Sequence, residues 1–180
     1  MPLQIGQPAD HSFDEPLGLL SDCHRRIEYF LDVLSTLDRA GSEQPLTAAQ
    51  RLQIEDALNY FENAAPRHTA DEEESLFPRL RASHDPEAAR ALDTLARLER
   101  DHAIADAHHR AVDVLCRRWL ALGALPELDA RELRDRLGVL QAIYRDHIAV
   151  EDRELFPAAA KLLTRSELQD IGREMAARRR

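Results

Sequence analysis

Apolar residues along this chain recur at helical spacing, with no sustained alternation of the kind a half-buried strand requires. Leu17, Leu20, Ile27, Leu31 and Leu34 form a first stripe behind Pro16, a residue preset for the opening turn of a helix. Gly41 and Pro45 end it. Thr47 is the expected N-cap of a second helix that carries Leu52, Ile54, Leu58 and Phe61 and runs to about Ala82. Pro66 falls inside that helix, removes one backbone hydrogen bond and crowds the turn before it, which predicts a kink or bulge near 62–66. Asp85-Pro86 reads as an N-cap and first helical residue, opening a third helix that Gly123 and Pro126 stop after about Leu122. Asp129 is expected to cap a fourth helix from about Ala130 to Leu162. Thr164–Glu167 then starts a short fifth segment that ends near Ala177.

Long amphipathic helices with short connections predict an all-α fold, an up-down-up-down four-helix bundle over residues 16–163. An irregular arm, 1–15, is expected before it, and a short C-terminal helix with a basic tail, 164–180, after it. Composition agrees: only 5% of residues are aromatic, so the core must be built from Leu, Ala, Ile and Val, and six glycines leave helix favoured throughout. A net charge of −9 argues against nucleic acid as partner, and Arg178-Arg179-Arg180 reads as a solvated ending. No apolar run approaches the roughly 20 residues that cross a bilayer, and the first residues lack the basic and apolar regions of a secretory signal. Cys23 and Cys116 form no spaced framework. The expected setting is the reducing cytoplasm, with no membrane partner.

The strongest signal is an internal repeat. His68-Thr-Ala-Asp-Glu72-Glu-Glu-Ser-Leu-Phe-Pro78 aligns without gaps on His147-Ile-Ala-Val-Glu151-Asp-Arg-Glu-Leu-Phe-Pro157, with six of eleven positions identical. One copy lies in the second predicted helix and one in the fourth. His24 precedes His68 by 44 residues and His102 precedes His147 by 45. The chain therefore reads as two helix pairs, each offering His…His-x-x-x-Glu.

Residues four apart sit one turn apart on the same side of a helix, so His68 with Glu72, and His147 with Glu151, point the same way. Imidazole suits a mid-to-late first-row metal, and a carboxylate can bridge two ions through its two oxygens. Buried without a cation, two glutamates would be costly unless protonated or paired. His24 belongs to the first apolar stripe, His102 follows Leu95 and Leu98, and His147 follows Leu140, Ile143 and Tyr144, all consistent with interior placement.

The order H…HxxxE…H…HxxxE, with Leu-Phe-Pro after each glutamate, resembles the hemerythrin HHE cation-binding domain over roughly residues 15–160. That resemblance implies a di-iron centre with His24, His68, His102 and His147 as terminal ligands. Glu72 and Glu151 would bridge the irons together with an oxo or hydroxo group, and zinc or another divalent metal could substitute. The two symmetric HxxxE motifs look more like the family's repair-of-iron-centres branch than its oxygen carriers. The carriers have a further histidine four residues after the third-helix ligand, where this chain has Asp106. They also place the last carboxylate one residue later. The ferritin-like alternative needs two Glu-x-x-His motifs, and Glu99-Arg-Asp-His102 is the single match.

The neighbouring residues carry open readings. Glu28 and Asp106, each four residues after a ligand histidine, are candidates for an added ligand or for a partner to a ring N–H, with a solvated position as the plain alternative. Glu73, Glu74, Asp152 and Glu154 read mostly as a solvated face, with support of a ligand histidine by one of them as the alternative. His108 and His109 are expected at the surface, with His109, seven residues after His102, also placed to share that residue's face. Tyr144 is expected in the core or near an open coordination position, and Cys23 turned away from the site. Leu76-Phe77 and Leu155-Phe156 are placed to wall the centre off from water. The expected function is a non-haem di-iron protein that binds or senses oxygen, nitric oxide or peroxide. A di-iron oxidase, peroxidase or nitric-oxide reductase, and an iron donor for damaged iron–sulfur clusters, are the alternatives.

Overall fold

The computed structural model describes residues 10–83 and 86–180, with the backbone alone for 86–93. Residues 1–9 of the expected arm, His84 and the expected cap Asp85 lie outside the described residues. Helix α1 is Pro16–Gly41. Helix α2 is a composite of Ala48–Asn63, Ala65–Ala70, a wide π-helical turn Asp71–Leu76 and Phe77–Ala82. Helix α3 is Pro86–Leu122. Helix α4 joins Glu127–Val150, a second π turn Glu151–Leu155 and Phe156–Leu162. Helix α5 is Arg165–Ala177.

The buried apolar residues divide into two clusters. One holds Ile27, Leu34, Ile54, Leu58, Val112, Trp119, Leu133 and Leu140 among others. The second holds Leu20, Leu76, Phe77, Leu95, Leu98, Leu155 and Phe156, and α5 adds Ile171 and Met175 to it. Along α1 the chain passes from the second cluster to the first, along α2 back again, and α3 and α4 repeat the alternation. That alternation is the signature of an up-down-up-down bundle, and α1 touches α2 and α4 while α3 touches the same two helices. At one end the two short connections are tied together, Leu46 N–H donating to Gly123 O and Leu125 N–H to Ser42 O, both at 2.8 Å. No helix among the described residues is long and apolar enough to cross a membrane.

Several boundaries follow from local chemistry. Thr47 and Thr164 each close a capping box, with Gln50 and Glu167 respectively. The break expected from Pro66 falls at Ala64, and Pro66 becomes an early residue of the next segment, where its missing N–H costs nothing. Asp129 does not cap α4. The first helical hydrogen bond runs from Ala130 N–H to Pro126 O at 3.0 Å, and Asp129 sits in the opening turn, 3.0 Å from Arg118.

Both π turns precede a proline. Phe77 N–H reaches back five residues to Glu72 O and Phe156 N–H does the same to Glu151 O. Pro78 and Pro157 have no N–H to give, so the regular ladder must fail at these points. One widened turn absorbs the failure, as π-bulges commonly do beside functional residues.

Two surface expectations are corrected by packing. Arg178 and Arg179 are not a solvated ending. Asp71, fully buried in the first π turn, is gripped by Arg178 Nη1 at 3.0 Å and Arg179 Nη2 at 2.6 Å, and Arg178 also donates to Ser75 Oγ at 2.9 Å. A carboxylate taken out of water must be paired, and the tail supplies the charge. His109 is not at the surface either. Its ring lies 4.5 Å from Phe61, and its Nε2 shares a hydrogen bond of 3.0 Å with Tyr144 Oη. Burial pushes His109 down to about 4.

The double variant Arg178→Ala/Arg179→Ala should lose about 2–3 kcal/mol in urea unfolding, because Asp71 then keeps its burial and loses its counter-charge. An unchanged midpoint would show that the tail does not clamp α2. For His109, the unfolded chain takes up a proton below about pH 6.5 that the folded chain refuses until about pH 4, so this group removes stability as pH falls through that window, about 3 kcal/mol in all. His109→Gln, which keeps a hydrogen-bonding partner for Tyr144, should flatten that acid limb relative to the parent chain; identical limbs would contradict the assignment.

Candidate metal centre

Between the two apolar clusters lies a polar layer to which each long helix contributes. His24 comes from α1, His68 and Glu72 from α2, His102 from α3, and His147 and Glu151 from α4. The six residues predicted from the repeat are brought together. His24 is 1% exposed, His68 3%, His147 2%, and both glutamates 0%, while the His102 side chain is 8% exposed.

Their atoms fall into two overlapping groups, His24 with His68 and Glu72, and His102 with His147, Glu72 and Glu151, each group within 4.8 Å. Glu72 belongs to both. Its Oε1 lies 3.3 Å from His68 Nε2 and 3.7 Å from His24 Nε2, and its Oε2 lies 3.3 Å from His102 Nε2. Glu151 Oε2 lies 3.1 Å from both His24 Nε2 and His147 Nε2. His102 Nε2 and His147 Nε2 are 3.1 Å apart.

These contacts are not hydrogen bonds doing ordinary structural work. Both oxygens of Glu72, both oxygens of Glu151 and His24 Nε2 are buried without a hydrogen-bond partner among the described residues. Buried polar atoms left in this way are rare and costly. A cation with bonds of about 2.1 Å holds its ligand atoms about 3.0–3.4 Å apart at right-angled or tetrahedral positions, which is the spacing of every pair given above except His24 with Glu72, at 3.7 Å. Two carboxylates and four imidazoles form the donor set of a metal-binding site, and the residues present fit one.

The outer ring nitrogens explain how the rings are aimed. His24 Nδ1–H donates to Asp152 Oδ1 at 3.0 Å, and His102 Nδ1–H donates to Glu73 Oε1 at 2.8 Å. A proton fixed on Nδ1 leaves the Nε2 lone pair facing the centre. Asp152 follows Glu151 and Glu73 follows Glu72, so each repeat supplies both an inner carboxylate and the carboxylate that orients a histidine of the other helix pair. The sequence reading gave these two acids mostly to solvent, although the acid at that position in both repeats was a visible signal. The His147 Nδ1 atom lies 3.6 Å from Asp101, and His68 Nδ1 has no partner. The repeat's phenylalanines act symmetrically too: Phe156 stacks on His24 with centroids 5.5 Å apart, and Phe77 stacks on His102 at 6.4 Å.

Electrostatics bind the layer together. Burial alone would push the Glu72 and Glu151 carboxyls up, but the surrounding imidazoles outweigh it and hold both below the usual range. Burial opposes a proton on His24 and His102, yet their carboxylate neighbours raise His24 well above the usual value and His102 to about 9. His68, where burial dominates, is pushed down to about 4. Protons and a cation thus compete for the same nitrogens.

The remaining candidates fall outside the centre. Glu28 is exposed, and Asp106 is exposed and paired with Arg110. Glu99 pairs with Arg81 at 2.7 Å, which removes the ferritin-like alternative. Cys23 and Cys116 are free thiols, and neither belongs to the ligand groups. Tyr144 packs 6.3 Å from the His147 ring while its hydroxyl serves His109.

Comparison with known proteins agrees with this geometry. Residues 15–159 match the model of the hemerythrin HHE cation binding domain. A protein of Haemophilus influenzae described as uncharacterized is 31% identical over 183 residues, covering 98% of each chain. With four-fifths of its length matched and its predicted donors converging in one buried layer, the chain belongs to the hemerythrin HHE cation binding domain family.

Proposed function

We propose that the chain is a cytoplasmic non-haem di-iron protein that binds or senses oxygen, nitric oxide or peroxide. His24, His68, His102 and His147 would hold the ions, together with Glu72 and Glu151. The observation that carries this reading is the set of four carboxylate oxygens, buried without hydrogen bonds and facing imidazole nitrogens from all four long helices. Six donors in two overlapping groups suit two ions better than the single four-coordinate ion of a structural zinc site. When bound, such an iron pair supplies one-electron redox chemistry and coordination positions for a small diatomic ligand. The protein's own residues do the rest. Asp152 and Glu73 hold protons on the outer nitrogens of His24 and His102. Phe77, Phe156, Leu76 and Leu155, nearly or fully buried, cover the centre and keep bulk water out.

Anaerobic loading with ferrous iron should give two irons per chain and an absorption spectrum that changes with oxygen or nitric oxide and returns on degassing. One metal per chain would overturn the two-ion assignment; sustained oxygen or nitric-oxide consumption with a reductant would make the protein an oxidase or reductase, and loss of iron to an apo cluster protein would make it a donor. His147→Ala and Glu72→Ala should each sharply lower iron content with helicity retained in circular dichroism. Asp152→Asn and Glu73→Gln should leave iron stoichiometry intact at saturating metal but weaken affinity about 10- to 100-fold, read by competition with a chelator. Equal affinity in both variants would remove the orienting role.

A further inference from the structure

A second cavity, of about 480 Å³, opens beside α1 and α2 and is lined by His11, Ser12, Phe13, Leu19, Cys23, Arg26, Tyr60, Ala64, Arg67 and Arg179. Its charge is the reverse of the chain's. The protein carries 33 acids against 24 bases, yet three arginines line this cavity and no carboxylate does. Arg179 is already engaged with Asp71. Arg26 and Arg67 have no ion-pair or hydrogen-bond partner among the described residues, although most arginines of this chain are paired. Two unspent guanidiniums in a concave site are an anion-binding arrangement, since the planar fork matches carboxylate and phosphate oxygens.

The remaining walls are built and mostly apolar. Phe13 is held under the Arg179 guanidinium, 5.6 Å from its ring centre. The Phe13 backbone lies so close to Gly172 that a Cβ there would meet Phe13 O at 1.9 Å. His11 is pinned by two contacts to the buried Asp22, at 2.8 and 3.1 Å. Tyr60 Oη donates to Cys23 O at 3.2 Å, fixing the floor. Residues 11–13 and Arg179 thus form a fixed wall and roof over α1 and α2. Cys23 adjoins His24 and Arg67 adjoins His68 in sequence, so the cavity lies against the two helix turns that carry those ligands.

We infer that this cavity binds a small organic anion, a carboxylate or phosphate group carried on an apolar body, with Arg26 and Arg67 receiving the oxygens and Phe13, Leu19 and Tyr60 the body. The site is separate from the metal layer and does not depend on which metal fills it. The test is titration calorimetry on the iron-loaded full chain at fixed ionic strength in chloride, with benzoate, phenyl phosphate and inorganic phosphate as probes. One aromatic anion should bind per chain more tightly than inorganic phosphate, and the stronger of benzoate and phenyl phosphate identifies the head group. Arg26→Gln/Arg67→Gln should weaken it roughly tenfold or more with iron content unchanged. Arg67→Gln alone, at an exposed position, should weaken it without touching the fold, and Arg100→Gln, outside the cavity, should not. Absence of saturable binding by all three probes, or equal affinity in the Arg67→Gln and parent chains, would overturn the inference.

Discussion

Everything in this bundle is arranged around two buried carboxylates whose oxygens have no hydrogen-bond partner among the described residues. Glu72 and Glu151 are fully buried, and each would be far costlier in an apolar core than any single packing contact could repay. His24 and His102 provide part of the answer, because their carboxylate neighbours favour a proton on each that offsets the carboxylate charge. A bound cation would provide the larger part. The layer therefore couples metal binding to folding: ligand residues from all four long helices must be in place together for the charges to cancel. This also explains why the core is two clusters rather than one, since the polar layer interrupts every long helix at the same height.

The two π turns show how a helix can serve that layer. In a regular helix, neighbouring side chains diverge by about 100°, so adjacent acids would not both serve one centre. Each wide turn begins at or just before the inner glutamate. Glu72 then faces the metal layer while Glu73 reaches His102, and Glu151 faces it while Asp152 reaches His24. The proline two residues beyond each turn prevents the ladder from closing normally. Leu-Phe-Pro is thus a structural motif with three tasks: cover, ring stacking and a forced change of helical register.

The bundle and the six donors were legible because both depend on periodicities that a single chain carries openly. His68 and Glu72 lie four apart, and the π turn starts too late to disturb that spacing. Pro66, Thr47 and Thr164 act on their immediate neighbours, so their effects could be read locally. What could not be read depended on partners distant in sequence. Asp71 meets arginines 107 and 108 residues away, and a run of three arginines at a terminus looks solvated until its partner is placed. Asp152 lies 128 residues from His24. His109 looked like a surface residue because its stripe on α3 is weakly apolar, and only the packing of Phe61 and Tyr144 reveals its burial.

The repeat also records a division of labour between its halves. The positions identical in both copies, His, Ala, Glu, Leu, Phe and Pro, include the donors and the cover of the metal layer. Three of the positions that differ have a separate use in α2: Asp71, Glu74 and Ser75 all contact Arg178. Their counterparts in α4 are Val150, Arg153 and Glu154, and Val150 packs against the second apolar cluster. Identity between the halves is therefore confined by the shared chemistry, and divergence falls where α5 and the tail brace one half alone. That brace lies outside the residues matching the family model, which end at 159. It sits directly beside Glu72, the donor common to both ligand groups. An asymmetric support applied at the shared ligand adds to the difference between a three-donor and a four-donor group, and so gives the two groups a physical basis for unequal behaviour.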